Sequence, residues 1–321
     1  MNKEIKCLSE LISFATEIGA KSEHLLVFRG EKKDYVESAL VPFIYRDEYI
    51  SKEENIYKES QRFNDKEFNT DKTAFDKLSR IQHYSAPTRL IDVSEELFSS
   101  IYFSIAEKEI IKLKRNDGET KKEFHARKDS DDAIIYLFEI DRKKIKYYDS
   151  DTISVISNLA KIPLSNTLNE KSKKSLLCDA SKFKGKLKKF NKQKSVKFLR
   201  HEIREEKPQF EAIIDPEHLT SIQFVYPKFT SNRVKTQKGA FLLFGLNAED
   251  ASKPIKLIAE KGDLELNSSV NHPVIKIHKA ILKYDYICEM QKELKSLGIR
   301  KPFIYPEIDK VSEYLVEKYK K

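Results

Sequence analysis

The fold is decided around residues 82–92, which read Gln82-His83-Tyr84-Ser85-Ala86-Pro87-Thr88-Arg89-Leu90-Ile91-Asp92. Apolar residues recur at helical spacing before this stretch and again after it, which predicts a buried helix on each side. Pro87 disfavours helical backbone at Ala86, so the chain turns there. Two packed helices would fix the polar side chains of the loop between them, and such a loop is a candidate position for catalytic or binding residues. The structural alternative is a corner in which Arg89 and Asp92 only pair with each other.

The composition indicates a soluble protein with a full core. Of the 321 residues 40% are apolar, and eight glycines argue against a glycine-rich nucleotide loop. The three cysteines lie far apart and predict neither a disulfide framework nor a metal cluster. The N-terminus lacks a signal peptide and no apolar run approaches membrane-spanning length, so we expect a cytoplasmic protein without a membrane partner. A net charge of +9 favours anionic partners.

Short apolar runs and helical periodicities predict the secondary structure. Strands are expected at 24–30, 133–140, 210–214, 221–226, 240–244 and 273–277, with a further extended piece at 40–46. Helices are expected at 8–18, 47–63, 71–83, 280–297 and 309–319. These elements predict the α+β class, with a mixed, mostly antiparallel sheet surrounded by helices.

The first predicted strand ends in Phe28-Arg29-Gly30. Gly30 would let the backbone leave the strand at a sharp angle or approach a ligand closely. A guanidinium at a strand end is well placed to bind or position an anion, which makes Arg29 a candidate functional residue. Its structural alternative is an ion pair with a nearby carboxylate.

Two highly charged segments interrupt the predicted single domain of residues 1–321. Residues 112–132 read as an exposed excursion, and residues 170–207 read as a lysine-rich insertion. Between residues 182 and 200 there are nine basic residues and no acidic one. Such a run could contact the phosphate backbone of a nucleic acid, or it could be a solvated surface and nothing more.

Several of these pieces together resemble the FRG-domain family, named for its Phe-Arg-Gly motif. Phe28-Arg29-Gly30 matches that motif, and residues 82–92 resemble the family's Q-H-[YF]-G-x-P-T-R-L-L-D block. Ile101-Tyr102-Phe103-Ser104 fits the apolar helix after the block, Gln237-Lys238-Gly239-Ala240-Phe241 is similar to a later Q-x-G-x-F element, and residues 297–299 with 305–308 echo the G-I…F-P-D-L ending. Ser85 replaces the family's glycine, and Val93 stands where tryptophan is usual.

The resemblance implies a bacterial or phage-borne protein of the kind found near defence and mobile genes. We therefore expect an anti-phage effector or toxin of the abortive-infection type, restrained by an antitoxin or triggered by a phage component. The family resemblance does not imply a particular reaction. A mechanism is therefore inferred from the chemical properties of the candidate residues.

The candidate catalytic residues are His83, Arg89 and Arg29. Two guanidiniums could clamp a pyrophosphate, and histidine transfers protons near neutral pH. The candidate substrate-binding residues are Phe28, Gly30, Gln82, Tyr84, Thr88, Asp92 and Gln237. Arg46 is a further residue that could donate hydrogen bonds to a phosphate. We predict that Arg29 and the central loop meet in one cleft. No metal site is predicted, because no spacing resembles a ligand set.

The chain has an arginine at a strand end near the N-terminus, a set of strands later and no glycine-rich phosphate-binding loop. This pattern is similar to that of ADP-ribosyltransferases, which makes NAD the candidate cofactor. A catalytic glutamate is missing from this picture, since Glu211 and Glu260 lack a recognisable context. The second class is a metal-independent ribonuclease that uses His83 with Arg89. This mechanism needs a second acid–base group beside His83, and the sequence does not place His125, His201 or His218. The third is a nucleic-acid binder using residues 182–200, and the fourth is a non-catalytic sensor module.

Overall fold

A computed structural model describes residues 2–110, 120, 121, 123, 129, 131–165, 171–211, 213–229, 235–258 and 270–320. At its centre lies an eight-stranded sheet with the strand order β1-β8-β4-β2-β3-β7-β6-β5. The strands are β1 (Asn2–Ile5), β2 (Leu25–Glu31), β3 (Leu90–Ser94), β4 (Ala133–Ile140), β5 (Lys146–Tyr147), β6 (Ile222–Tyr226), β7 (Gly239–Phe244) and β8 (Val274–Leu282). The pairs β1–β8 and β5–β6 are parallel, and every other neighbouring pair is antiparallel.

Thirteen α-helices in the described part of the chain surround this sheet. They are α1 (Leu8–Lys21), α2 (Glu53–Phe63), α3 (Asp65–Phe68), α4 (Ala74–His83), α5 (Leu97–Ile101), α6 (Asp151–Ser157), α7 (Lys173–Lys182), α8 (Leu187–Phe190), α9 (Lys194–Glu206), α10 (Pro216–Leu219), α11 (Ile287–Ser296), α12 (Lys301–Ile304) and α13 (Ile308–Tyr319). A π-helical turn, Tyr102–Ala106, continues α5. The predicted α+β class with a mixed, mostly antiparallel sheet is confirmed.

Strand β4 is the central element of one half of the sheet. Seven of its eight residues are buried, and it pairs with β2 on one side and β8 on the other. A strand covered on both faces has no polar face, which is why its sequence is nearly continuously apolar. The prediction of this strand is confirmed at both ends.

The two faces of the sheet are covered differently. On one face, the strand side chains belong to two separate apolar clusters, one packed against α2, α4, α6, α7 and α9 and the other against α1, α5, α11 and α12. The opposite face carries one continuous cluster that includes Val27, Val93 and Tyr136. The register of β2 and β3 places Phe28 and Ser94 opposite each other, on the face with two clusters. The boundary between the two helical layers therefore lies over β2 and β3.

Several predicted elements differ from the structure. The end of the central block is strand β3 rather than loop, and residues 40–46 contain a short 3₁₀ helix, Phe43–Tyr45, instead of an extended piece. The described residues between 210 and 215 form no strand. Strand β8 continues to Leu282, so the following α-helix starts at Ile287 and not at 280. Strand pairing with β4 extends β8 beyond its apolar core sequence.

The described part of the segment predicted as an insertion, residues 171–207, contributes to the core. Its helices bury Leu176, Phe190, Val196, Leu199 and Ile203 in the same cluster as α4. The lysines between residues 182 and 197 alternate with these apolar residues and are exposed, whereas Lys173 is buried. Most of the charged excursion predicted at 112–132 lies outside the described residues. No helix in the described ranges combines the length and the apolar character needed to cross a membrane.

Candidate functional site

Strands β2 and β3 touch at only one point. Phe28 pairs with Ser94, whereas β2 pairs with β4 over seven residues. Beyond Phe28 the two strands separate, and the gap lies under the boundary between the two helical layers. Strand ends and breaks in a sheet expose backbone groups that a side chain or ligand can use. This break in the sheet is therefore a natural position for a binding site.

A cavity of about 420 Å³ occupies the break. Its walls come from β2, β3, α4, β7, the π-helical turn and the segment around Phe43. The polar and charged residues that line it are Arg29, Arg46, Ser79, Gln82, His83, Ser85, Asp92, Ser94, Ser100, Gln237 and Tyr305, and the aromatic ones include Phe28, Phe43, Phe103 and Phe241. Small-molecule sites typically measure about 300–1,000 Å³ and combine apolar walls with a few polar groups. The cavity has this size and composition.

Gly30 allows α5 to approach the sheet at the edge of the cavity. A Cβ atom at this position would lie 1.9 Å from the carbonyl oxygen of Ser100 and 3.2 Å from Cβ of Ser104. Since the first contact is with backbone, no rotamer change could relieve it. The role of Gly30 is thus steric, because only glycine lets the helix pack this closely on β2.

Arg29 bridges the two separated strands. Its Nη1 donates to the backbone oxygen of Asp92 at 2.9 Å, and its Nε donates to Oε1 of Glu31 at 3.1 Å. The carboxylate of Glu31 is 5% exposed, and its Oε2 is shielded from solvent and has no hydrogen-bond partner within the described ranges. Two bonds hold the guanidinium in one orientation, while 22% of the side chain remains accessible in the cavity. Arg29 is therefore a preorganised donor for an anionic group.

Arg46 supplies a second guanidinium to the same cavity. Its Nη2 donates to the backbone oxygen of Val41 at 3.1 Å, and its Cζ atom lies 5.9 Å from the ring centre of Phe43. The Nε atom is shielded from solvent and has no hydrogen-bond acceptor within the described residues. No carboxylate in the described ranges forms an ion pair with Arg46. An unsatisfied, shielded guanidinium donor is costly unless an acceptor arrives.

A hydrogen-bond relay fixes the polar side of the cavity. Thr88 Oγ1 donates to Oε1 of Gln82 at 2.5 Å, and Nε2 of Gln82 donates to Oδ2 of Asp92 at 2.6 Å. The amide orientation of Gln82 is thereby determined, since its oxygen accepts and its nitrogen donates. Asp92 is exposed and lines the cavity. An amide holds it in place, and no cation in the described part of the chain forms an ion pair with it, so its carboxylate is available to a ligand.

The end of helix α4 positions Gln82 and His83. The amide of Ser85 donates to the carbonyl of Gln82 and that of Ala86 donates to the carbonyl of Ile81, at 2.9 and 3.2 Å. This is a Schellman motif, in which the residue after the helix cap adopts a left-handed conformation and is usually glycine. Ser85 has φ of 62° and so adopts this conformation. The turn that the family's glycine would favour is therefore formed with serine here.

His83 is the histidine that lines the cavity. It is half-buried, and its ring meets that of Tyr84 edge-on with centroids 5.3 Å apart. Phe103 and Tyr305 also line the cavity and contact each other edge-on, with ring centroids 6.2 Å apart. Aromatic rings and guanidinium groups in one lining allow the cavity to accept a planar group and an anionic group together.

The structure does not bring Arg89 to the cavity, so the prediction that two guanidiniums from Phe28-Arg29-Gly30 and the central block converge there is wrong. Arg89 is fully buried; its Nε and Nη2 donate to Glu53 at 2.8 and 2.5 Å. Lys173 is equally buried and lies 2.9 Å from the same carboxylate. Burial would raise the pKa of Glu53, but the two cations hold it below its ordinary value. Arg89 thus belongs to a buried ion cluster, and Arg46 takes its place in the cavity.

The other sequence candidates divide between the cavity and its surroundings. Phe28, Gly30, Gln82, Asp92 and Gln237 line the cavity, although Nε2 of Gln237 already donates to the backbone of Ile304 at 3.0 Å. Thr88 is buried and acts only through Gln82, and Tyr84 is 63% exposed and lines a different cavity beside α3.

The acids and histidines that the sequence left without a role do not line the cavity where the structure describes them. Glu211 and His201 are exposed away from the cavity, and His218 does not line it. Glu260 and His125 lie outside the described residues. In the described part of the chain, no three His, Cys, Asp or Glu side chains cluster in a way that could hold a metal ion.

Comparison with protein families identifies the region that builds most of this cavity. Residues 24–112 match the family model of the FRG domain. The chain contains an FRG domain. No curated protein sequence matched the chain significantly, and no solved structure did so. The matched FRG region supplies β2, α4, β3, α5 and the π-helical turn, whereas Gln237 and Tyr305 come from the later part of the chain.

Sequence reasoning missed some residues of the 420 Å³ cavity, which we call the FRG cavity from here on. Phe43, Ser94 and Phe103 line it, but their sequence context is apolar or β-rich and indicated only core packing. Glu31 follows directly after Phe28-Arg29-Gly30, and an acid next to a candidate anion-binding arginine was the available signal. Tyr305 had only the weak likeness of the chain's end to the family's ending.

Proposed function

We propose that the FRG cavity binds a nucleotide and that the protein transfers a group from it, with NAD as the candidate substrate. One observation carries the proposal: Arg29 and Arg46 line the same cavity, and the shielded Nε of Arg46 has no acceptor among the residues that the structure describes. Phosphate oxygens are the acceptors that guanidinium groups bind best. The aromatic wall formed by Phe103 and Tyr305 would contact the base.

Asp92 is the carboxylate that this chemistry would use. When the bond between nicotinamide and ribose breaks, nicotinamide leaves with the bonding electron pair and positive charge develops on the ribose. A carboxylate placed in the cavity stabilises that charge. An acceptor nucleophile then forms the new bond to the ribose and loses its proton, which His83 could take. Gln82 holds Asp92 by the 2.6 Å hydrogen bond and is a positioning residue.

Calorimetric titration of the purified protein with NAD, ADP and AMP tests the binding step. We expect saturable binding of at least one nucleotide, weakened at least tenfold by Arg46→Gln. Arg62→Gln is the matched control, because Arg62 is 72% exposed on α2 and is not in the cavity. If no nucleotide binds, or if both variants bind as well as the wild type, the cavity is not a nucleotide site.

Release of nicotinamide, followed by chromatography, tests the transfer step separately. Asp92→Asn keeps the size of the side chain and its contact with Gln82, so nucleotide binding should survive while nicotinamide release is lost. Binding without any release by the wild type would exclude the transferase and favour a nucleotide sensor.

A second candidate is cleavage of a phosphodiester in RNA. It is favoured by the presence of His83 and Asp92 in the same cavity, where one could accept a proton and the other donate one. RNA breakdown that is lost in His83→Gln and retained in Arg62→Gln would support the ribonuclease. Intact RNA after incubation with the wild type would eliminate it.

The cellular role that we propose is that of an anti-phage effector. The support is the FRG domain together with a cavity suited to a metabolite that every cell contains. Bacteria that express the wild type should differ from those expressing Arg46→Gln in growth or in survival of phage infection. Equal growth of both strains, with and without phage, would count against this role.

A further inference from the structure

The net charge of the protein is concentrated in one short segment. The chain has 60 basic and 51 acidic residues, and nine of the basic ones lie between residues 182 and 200, where there is no acidic residue. The remaining 51 basic residues equal the acidic residues in number. The whole excess of +9 therefore resides in this segment, and the rest of the chain is neutral at pH 7. A local excess of this kind generates a positive potential that the rest of the surface does not cancel.

The structure exposes the lysines of this segment and fixes the backbone that carries them. All eight are exposed, and we call them the basic surface: Lys182, Lys184, Lys186, Lys188, Lys189, Lys192, Lys194 and Lys197. Phe190, Val196 and Leu199 from the same segment are fully buried in the core. The lysines are thus mounted on a folded framework and are not part of a flexible tail.

Two polar residues lock the turn between α8 and α9. Asn191 exchanges two hydrogen bonds of 2.9 Å with the backbone of Ile214 and accepts one from Arg200 at 2.7 Å. Ser195 donates to Asp179 on α7 at 2.6 Å. Arg200 is engaged in this framework and does not belong to the basic surface. The three short helical elements are therefore held in fixed relation to one another.

Most of these lysines have no carboxylate to neutralise them. Within the described ranges no ion pair is formed by Lys182, Lys184, Lys186, Lys188, Lys189, Lys192 or Lys197. Exposed lysines elsewhere in the chain, such as Lys21, Lys58 and Lys310, pair with a neighbouring glutamate. The positive charge of these seven lysines of the basic surface is consequently left for an external partner.

We propose that the basic surface binds the phosphate backbone of double-stranded nucleic acid without reading its sequence. Lysine ammonium groups neutralise phosphates as point charges and carry no base-specific pattern of donors. Single strands would require exposed aromatic rings for stacking, but Phe190 is buried and Phe183 and Phe198 pack against the core. A membrane surface would require several exposed apolar side chains for insertion, and the segment offers only Leu187, 39% exposed.

This binding site lies outside the cavity and does not depend on the proposed nucleotide chemistry. It would bring the protein to a polyanion, whichever reaction the cavity performs. Failure of nucleotide binding would leave this proposal intact, and failure of nucleic-acid binding would leave the cavity proposal intact.

The test is fluorescence anisotropy with two DNA duplexes of unrelated sequence, titrated with the full-length protein between 50 and 200 mM salt. We expect equal affinities for both sequences and a loss of about 10³-fold or more across this salt range, as for proteins that contact six or more phosphates. In Lys184→Gln/Lys186→Gln/Lys188→Gln/Lys189→Gln the slope of log K against log[salt] should become shallower by about 3.6, because each of the four lost phosphate contacts contributes about 0.9.

The matched control is Lys52→Gln/Lys66→Gln/Lys72→Gln/Lys292→Gln, which removes the same charge from four exposed lysines elsewhere. It should bind like the wild type. Equal weakening by both quadruple variants would reduce the effect to net charge and overturn the proposal. So would absence of duplex binding by the wild type, or tighter binding to vesicles containing anionic lipid at matched phosphate concentration. The milder Lys188→Gln/Lys189→Gln variant, with about half the change in slope, covers the case in which the quadruple variant is unstable.

Discussion

Replacing Glu53 by glutamine tests whether Arg89 is structural. The carboxylate of Glu53 is 2% exposed and is the shared anion of Arg89 and Lys173, both of which are 0% exposed. Glutamine keeps the size of the side chain but removes the charge. Two buried cations would then be left without an anion, and breaking a buried ion pair in this way typically costs about 3–5 kcal/mol. That loss is comparable with the total stability of many domains, about 5–15 kcal/mol.

The assay is urea unfolding followed by circular dichroism, with the slope of the transition compared between variants. Since Lys173 carries the second uncompensated charge, adding Lys173→Met to Glu53→Gln should recover about 0.5–3 kcal/mol, which is the usual coupling between residues in contact. A loss below about 1 kcal/mol in Glu53→Gln would refute the reasoning. In that case the cluster would be hydrated or rearranged, and Arg89 would again be a candidate for chemistry.

The pH dependence of stability follows from the same cluster. Because the pKa of Glu53 is lower in the folded protein than in the unfolded chain, its contribution to stability is present at neutral pH. That contribution is lost as the pH falls through and below the ordinary glutamate value of about 4.3. The difference in unfolding free energy between wild type and Glu53→Gln should therefore shrink on acidification. A difference that stays constant from pH 7 to pH 3 would contradict this assignment.

Four further substitutions test the packing of the fold, each measured by the same unfolding experiment. Gly30→Ala should lose about 3 kcal/mol or more, because its Cβ would meet the Ser100 backbone at 1.9 Å and overpacking of a rigid contact is costly; a neutral effect would show that α5 can move away. Ser85→Gly should gain about 0.5 kcal/mol by relieving the left-handed backbone at φ 62°, and a loss would mean that the Ser85 side chain contributes an unrecognised contact. Leu199→Ala should lose about 2–5 kcal/mol, whereas Lys197→Gln two residues earlier should change stability by less than about 0.5; similar values for both would mean that α9 is not part of the core.

The predictable parts of the fold are those whose signal is local. Strand β4 was predicted at both ends because its sequence is nearly continuously apolar. The helix predicted to end at 297 ends at Ser296, and the glycine that follows, Gly298, has a φ of 82° that suits the end of a helix. Strand β3 has two polar residues out of five, so it read as loop. Only its pairing with β7 over all five residues makes it a strand. That pairing joins segments about 150 positions apart, which no local pattern encodes.

The candidate site was predictable to the same extent. Arg29 and the central block were placed in one cleft from the chemistry of their residue types, and the structure has both at the cavity. Arg89 has the same residue type as Arg29, but its environment is decided by Glu53, 36 positions away, and by Lys173 from the segment read as an insertion. The residue type therefore indicated only that Arg89 is a cation. Its contact with Glu53 on α2, which also pairs with Lys173 on α7, determines that it faces a carboxylate and not solvent.

The position of Arg29 explains why a break in the sheet can persist without destabilising the fold. Where β2 and β3 separate, the carbonyl of Asp92 would lose its partner, and the Nη1 donor of Arg29 satisfies it at 2.9 Å. Glu31 then restrains the same guanidinium, so one side chain both closes the break and presents its remaining donors to the cavity. A ligand that binds those donors would add to the link between the two halves of the sheet. For this reason nucleotide binding in the cavity should protect the protein against unfolding, by an amount that grows with ligand concentration above its dissociation constant.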